Sequence, residues 1–255
     1  MSADEEYHRF EREIDKWRVR RKDTDDRKSY DEVFDQQNLL KIYKLFTDGV
    51  IDQLDFPIST GKEGNVFRAT TPEKQLVAVK IYRVTNANFS EMAKYVMGDP
   101  RFKGLKARKR RLIYAWAYKE YLNLGQFDRA GVRVPKPISH LDNMIVMEYI
   151  GDEVSPAKEI RNTKLEDPQA IAQKLLGYVR IAYQKAELVH SDLSEFNVLM
   201  LGQEPVLIDV GQSVALGHPR AEEWLERDVK NIARYFRKYD VAIDVRKELE
   251  EIKKR

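Results

Sequence analysis

The stretch His190-Ser191-Asp192-Leu193-Ser194-Glu195-Phe196-Asn197-Val198-Leu199-Met200, with Val206-Leu207-Ile208-Asp209-Val210-Gly211 soon after it, is the part of this chain from which its fold can be read. Asp192 and Asn197 come from one loop and Asp209 from the end of an apolar strand. Two carboxylates and an amide are the oxygen ligands that a hard divalent cation takes beside phosphates. Turn capping by Asp and Asn is the plainer alternative, and it leaves the company these residues keep unexplained. His190 suits a hydrogen-bonding role that orients the loop more than it suits a general base.

Upstream, Leu76-Val77-Ala78-Val79-Lys80-Ile81-Tyr82 alternates as a strand, with Lys80 on the face toward a cleft. A lysine there needs a carboxylate or a phosphate, unless the strand is an edge and Lys80 merely a surface residue. Glu120, on a helix predicted from about Arg108 to Gln126, is the candidate carboxylate. Lys119-Glu120 as part of a solvated helix face is the alternative. Before the strand, Ser59-Thr60-Gly61-Lys62-Glu63-Gly64-Asn65-Val66 joins two further strands, and its glycines let backbone amides approach an anion. An ordinary hairpin turn explains the same residues.

These pieces order the chain. Residues 1–48 form an N-terminal helical extension, charged up to residue 28 and then apolar at helical spacing to Phe46. Residues 49–150 hold the β-rich half, with strands Ile51–Ile58, Asn65–Ala69, Leu76–Tyr82, Ile138–Leu141 and Met144–Ile150. Within it, residues 84–107 lose all pattern to Asn, Ser, Asp, Gly and Pro and are expected to be a mobile insertion. Residues 151–255 are helical around two short strands, with helices near Pro168–Glu187, Pro219–Tyr239 and Val241–Lys254. The class is α+β in two lobes, and a cleft at the linker Glu148–Ser155 is where a ligand belongs.

Composition closes several alternatives. With 255 residues, 42% hydrophobic and 34% charged, the chain has enough apolar content for a core and a heavily solvated surface. No cysteine is present, which excludes disulfides, thiolate zinc sites and a cysteine nucleophile. No run approaches a membrane span and MSADEEYHRF has no apolar stretch after it, so a cytoplasmic protein with no membrane partner is expected. The net charge of +3 says little about partners. The basic segment Arg101, Lys103, Lys106, Arg108, Lys109, Arg110, Arg111 suits contact with an RNA backbone, or a solvated helix start.

The spacing of Asp192, Asn197 and Asp209 matches the protein-kinase catalytic loop H-R-D-L-x-x-x-N and the following D-F-G. With STGKEGNV, VAVKIYR, HSDLSEFNVL and LIDVGQSV in view, the chain resembles the RIO family of atypical serine/threonine protein kinases, in its first subgroup and in a short archaeal-like form. DRKSYDEVFD and HPRAEEWLERDVKNIARYF fit the same subgroup. The resemblance implies a protein-kinase-like fold with a truncated helical lobe, and ATP with Mg2+ (or Mn2+ in its place) as cofactors. It implies that Lys80 pairs with Glu120 and contacts the phosphates, which Ser59, Gly61, Lys62, Glu63 and Gly64 cover. Adenine then lies near Ala78, with Met147 as gatekeeper and the backbone of Glu148 and Ile150 on its edge. Asp192 is catalytic by the same resemblance, and Asn197 and Asp209 are the metal ligands.

Three departures bear on function. Ser194 stands where kinases carry a phosphate-neutralising lysine, which removes some electrostatic stabilisation. Val210 replaces the Phe of D-F-G. Residues 212–255 contain no A-P-E and leave no room for an activation loop with a peptide-docking subdomain, which moves the expectation toward an ATPase. The resemblance implies work on the small ribosomal subunit precursor, with Asp209 able to accept the phosphoryl group. The rivals are a nucleotide-binding pseudoenzyme scaffold and a basic rRNA-binding module; retention of Lys80, Asp192, Asn197 and Asp209 speaks against both.

Overall fold

The alternation around Lys80 becomes β3 (Leu76–Tyr82), the middle strand of a five-stranded antiparallel sheet with β1 (Gln53–Thr60), β2 (Gly64–Thr70), β4 (Pro137–Leu141) and β5 (Met144–Glu148), in the order β1-β2-β3-β5-β4. This computed structural model describes residues 35–61, 64–84, 89–102, 104 and 108–254. Residues 1–34, Lys62, Glu63, Lys103 and Lys106 lie outside the described residues. Because side chains alternate across a strand, Val77, Val79 and Ile81 enter one buried cluster with Phe67, Met144 and Val146. Helix α1 (Gln36–Thr47) covers that face with Leu39, Ile42 and Leu45, and is N-capped by Asp35, whose carboxylate accepts from the Asn38 amide at 2.7 Å. The opposite face carries Ala78, Lys80 and Met147 toward the cleft.

Between Arg83 and Lys106, where the sequence shows no periodic pattern, the structure holds α2 (Phe89–Met97) and a short 3-10 turn (Pro100–Phe102). Met92 and Val96 are fully buried and Tyr95 packs on Trp116 and Trp224, with ring centroids 5.9 and 4.9 Å away. Positions 92, 95 and 96 share one helical face. Nine residues were too few to outweigh the polar flanks in the sequence.

Helix α3 (Lys109–Ala130) runs behind the sheet and stops at Gly131, which takes the left-handed conformation at φ 96°. Its buried side chains include Leu112, Trp116, Lys119, Asn123 and Phe127, of which Leu112, Trp116 and Phe127 belong to the larger core shared with the helical lobe. That lobe contains α4 (Pro168–Gln184), the small sheets β6 (Lys158–Glu159), β8 (Val198–Leu201), β9 (Glu204–Leu207) and β7 (Leu188–Val189), β10 (Val214–Ala215), then α5 (Ala221–Phe236) and α6 (Val245–Lys253). Pro168 at the first turn and the Asp167 carboxylate, 2.9 Å from the Ala170 amide, start α4. Among the described residues no helix is long and apolar enough to cross a membrane.

Candidate active site

The cleft between the lobes is a cavity of about 470 Å³. It is lined by Ser59, Gly61, Gly64, Ala78, Lys80, Glu120, Met147, Glu148, Ile150, Asp192, Asn197 and Asp209, so the structure brings together the described residues that the sequence assigned to catalysis, nucleotide and metal. Trp116, Tyr82, Leu199, Ile208 and Gln212 also line it.

Lys80 is the centre of charge. Its Nζ donates to Glu120 Oε1 at 2.7 Å and to Asp209 Oδ1 at 2.6 Å. Burial by itself pulls the Lys80 pKa down, but the carboxylates of Asp209 and Glu120 overcome that and hold the ammonium well above its ordinary value. The same ammonium holds the Asp209 carboxyl below the usual range. Glu120 is 1% exposed, which rules out the solvated helix face, and its second oxygen accepts from the Tyr82 hydroxyl. A buried carboxylate with a cation and a phenol on its two oxygens is satisfied; without Lys80 it is an uncompensated charge.

The 191–197 loop is pinned from below. Asp228, 1% exposed on α5, accepts from the Ser191 amide at 2.8 Å and the Leu193 amide at 3.0 Å, while Arg227 donates to the Ser191 carbonyl. His190 is buried, with Nε2 3.1 Å from the Ile208 carbonyl, which ties the start of the loop to the residue before Asp209. Asn197 Nδ2 donates to the Asp192 carbonyl at 2.8 Å and to its Oδ2 at 3.2 Å. The amide nitrogen is thereby occupied, which leaves the acceptor Oδ1 for other contacts. Gln212 also donates to Asp192 Oδ2, at 3.1 Å, and burial raises the Asp192 pKa. A raised carboxylate beside a cleft is suited to accepting a proton.

Asp209 sits in the left-handed region at φ 57°, and the 3-10 turn Val210–Gln212 follows it. Two side chains overlooked in the sequence hold this turn: Lys119 donates to the carbonyls of Gly211 (2.8 Å) and Ser213, and Asn123 to those of Val210 (2.8 Å) and Ser213 (3.3 Å). Their signal in the sequence is positional, since residues 112, 116, 119, 123 and 127 share one helix face.

At the hinge, the linker between the lobes that begins at Glu148, the Glu148 side chain makes a bidentate pair with Arg133 at 2.6 and 2.7 Å. The Arg133 carbonyl accepts from the Leu207 amide at 2.9 Å, linking the hinge to the strand that leads to Asp209. In the glycine turn, the Gly61 amide donates to the Gly64 carbonyl at 2.9 Å, so one of the amides expected to face a phosphate closes the hairpin instead. Arg101 and Arg108 to Arg111 lie away from the cavity, on the turn before α3 and at its start.

The RIO domain family matches residues 65–249. The RIO-type serine/threonine-protein kinase Rio1 of Haloferax volcanii is 43% identical over 242 residues, covering 95% of this chain and 83% of that protein. The chain belongs to the RIO family. Rio1 of Methanocaldococcus jannaschii is 36% identical over 218 residues, 86% of this chain and 74% of the relative. The human serine/threonine-protein kinase RIO1 is 37% identical over 243 residues, and there the chain spans only 42% of the relative. Among solved structures, the Rio2 kinase-ADP/Mg2+-phosphoaspartate complex from Chaetomium thermophilum superposes with a TM-score of 0.67 at 22% identity, over 86% of this chain and 67% of that one. The fold is thus the two-lobed kinase-like fold of the family, with a β-sheet lobe and a helical lobe.

Proposed function

We propose that this protein is an ATP- and Mg2+-dependent serine/threonine kinase and ATPase that acts in maturation of the small ribosomal subunit. The observation that carries the enzymatic part is Lys80 held between Glu120 and Asp209 at 2.7 and 2.6 Å, on the wall of a cavity that Asp192 and Asn197 also line. The relatives, which are serine/threonine-protein kinases by name, and the Rio2 kinase solved with ADP and Mg2+ agree with it.

The donors present fit the metal. Among the described residues no three His, Asp or Glu side chains are grouped as a cation site. Asp209 and the oriented Asn197 oxygen offer two hard ligands, which is how Mg2+ is held when phosphates and water complete the shell. Bound there, the ion neutralises charge on the transferring phosphoryl group. Lys80 meets the same phosphates, the hydroxyl or water to be activated meets Asp192, and Met147 and Ala78 flank the adenine. In the ATPase branch an Asp209 carboxylate oxygen attacks the γ-phosphorus as the bond to the β–γ bridging oxygen breaks and ADP leaves. Water then hydrolyses the acyl phosphate and frees the carboxylate.

Mg2+-dependent ATP consumption, measured with and without small ribosomal subunits, tests the proposal. Asp209→Asn is expected to abolish hydroxylamine-labile phosphate on the protein and Asp192→Ala to lower turnover. Unchanged turnover in both variants refutes the assignment. Turnover that particles do not alter refutes the ribosomal part alone.

A further inference from the structure

Asp209 occupies a left-handed backbone conformation, and only three residues of 3-10 turn follow it. That conformation is uncommon outside glycine, although Asp tolerates it, and a turn this short makes few internal bonds, here the Ser213 amide to the Val210 carbonyl at 3.1 Å. Here the carbonyls of Val210, Gly211 and Ser213 all receive donors from one helix face, through Lys119 and Asn123. Lys119 is fully buried, lies 5.8 Å from the Trp116 ring, and has its pKa pulled down to about 7 by burial. Residue 120 of the same helix binds Lys80. One helix therefore grips both ends of the 2.6 Å contact between Lys80 and Asp209.

The grip extends outward. Asn123 Oδ1 accepts from an Arg101 guanidinium nitrogen at 2.8 Å, which fixes the amide so that its Nδ2 faces the turn. Arg101 is in turn held by Asp99, through Nε at 3.0 Å and Nη2 at 2.6 Å. Asp99 is buried, and a Cβ on neighbouring Gly98 would stand 2.6 Å from the His218 ring, so this segment is closely seated against the helical lobe.

We infer that Lys119 and Asn123 are positioning residues for the metal-binding Asp209, and that Arg101, on the turn after α2, orients Asn123 and so couples residues 99–101 to the metal site. The inference deepens the Mg2+–ATP proposal and rests on it for the identity of the ion. None of the three residues touches nucleotide or metal; each acts through the backbone of residues 210–213. Loss of an outer partner of this kind typically costs about 10–100-fold in metal affinity.

The experiment compares wild type with Lys119→Met, Asn123→Leu and Arg101→Ala. The last of these removes a side chain that is 29% exposed and leaves the apolar core intact, although it also takes the cation from buried Asp99. Binding of AMP-PNP is measured in EDTA and across a Mg2+ titration, and amide hydrogen exchange of residues 210–213 is followed in the chain without ligand. Lys119→Met and Asn123→Leu are expected to raise the Mg2+ half-saturation about tenfold or more with little change in Mg2+-free AMP-PNP affinity. Arg101→Ala should shift it less and in the same direction, and all three should speed exchange at the turn. A merely structural role moves both affinities together or neither. If Mg2+ half-saturation is unchanged in variants that fold, the inference is overturned. If wild type shows no Mg2+ dependence, the Mg2+–ATP proposal fails by itself, and exchange at 210–213 then decides the coupling: unchanged exchange in all variants overturns it.

Discussion

Protonation of His190 should weaken the fold in mild acid by an amount that can be worked out from its surroundings. The ring is 3% exposed, its Nε2 is occupied by the Ile208 carbonyl, and its Nδ1 is buried without a hydrogen-bond partner. A second ring proton would create a buried cation with an unpaired N–H, and burial accordingly lowers the pKa from 6.5 to about 4. The folded value lies below the unfolded one, so between pH 6.5 and pH 4 the unfolded chain binds more protons and stability falls as pH falls. Each pH unit in that window is worth about 1.4 kcal/mol. At pH 5 the loss relative to pH 7 is about 2 kcal/mol, and it levels off near about 3 kcal/mol below pH 4. That is a sizeable part of a typical domain stability of about 5–15 kcal/mol. His190→Gln keeps a donor for Ile208 and removes the titration. Asp228, pushed up to about 7 by burial, loses stability as pH rises through the same range, but it is common to both chains and drops out of their difference. Urea denaturation of both proteins at pH 5, 6 and 7 should therefore show the stability gap changing by about 2 kcal/mol. Parallel curves, within about 0.5 kcal/mol, would refute the reasoning.

Lys80→Met should lower ATP turnover at least about a hundredfold, and should destabilise the chain by about 3 kcal/mol in calorimetry because buried Glu120 loses its cation. Gly64→Ala puts a Cβ 2.5 Å from the Ile81 carbonyl oxygen, so thermal denaturation should show a loss above about 2 kcal/mol. Gly61→Ala meets only the Gly64 carbonyl at 3.4 Å and should stay within about 0.5 kcal/mol. Arg133→Ala breaks a pair that is one-quarter to one-third exposed; it should cost only about 1 kcal/mol in urea denaturation while weakening adenine-nucleotide binding through a loosened hinge.

The four residues at the centre of the site were legible in the sequence because each announces itself locally. Lys80 is a charge on the cleft side of an apolar strand, and Asp192, Asn197 and Asp209 lie within eighteen positions of one another, where spacing alone carries the pattern. Glu120 was ambiguous for the opposite reason. In a helix rich in charge, a carboxylate bound for the core looks like its solvated neighbours until the partner strand is placed. Lys119 and Asn123 share that difficulty, since the carbonyls they serve lie at residues 210–213. Helix α2 was missed because its buried face is only Met92, Tyr95 and Val96, and what buries it, Trp116 and Trp224, comes from α3 and α5. The glycine turn was found, but which of its amides is open depends on the pairing of Gly61 with Gly64, and periodicity carries no trace of that.

The division of the interior into two clusters has a mechanical consequence. The outer face of the sheet forms the smaller cluster with α1, whereas α3 and the strand end bearing Asp209 lie in the larger one with the helical lobe. Lys80 rides on the sheet; Asp209 belongs to the helical lobe, while Glu120 sits on α3, which packs both on the sheet, through Tyr82 and Ile145, and on the helical lobe. The contact that spans from the sheet to the helical lobe is Lys80 with Asp209, so opening of the cleft pulls on that ion pair as on a latch. Lobe closure and completion of the charge centre are then one event.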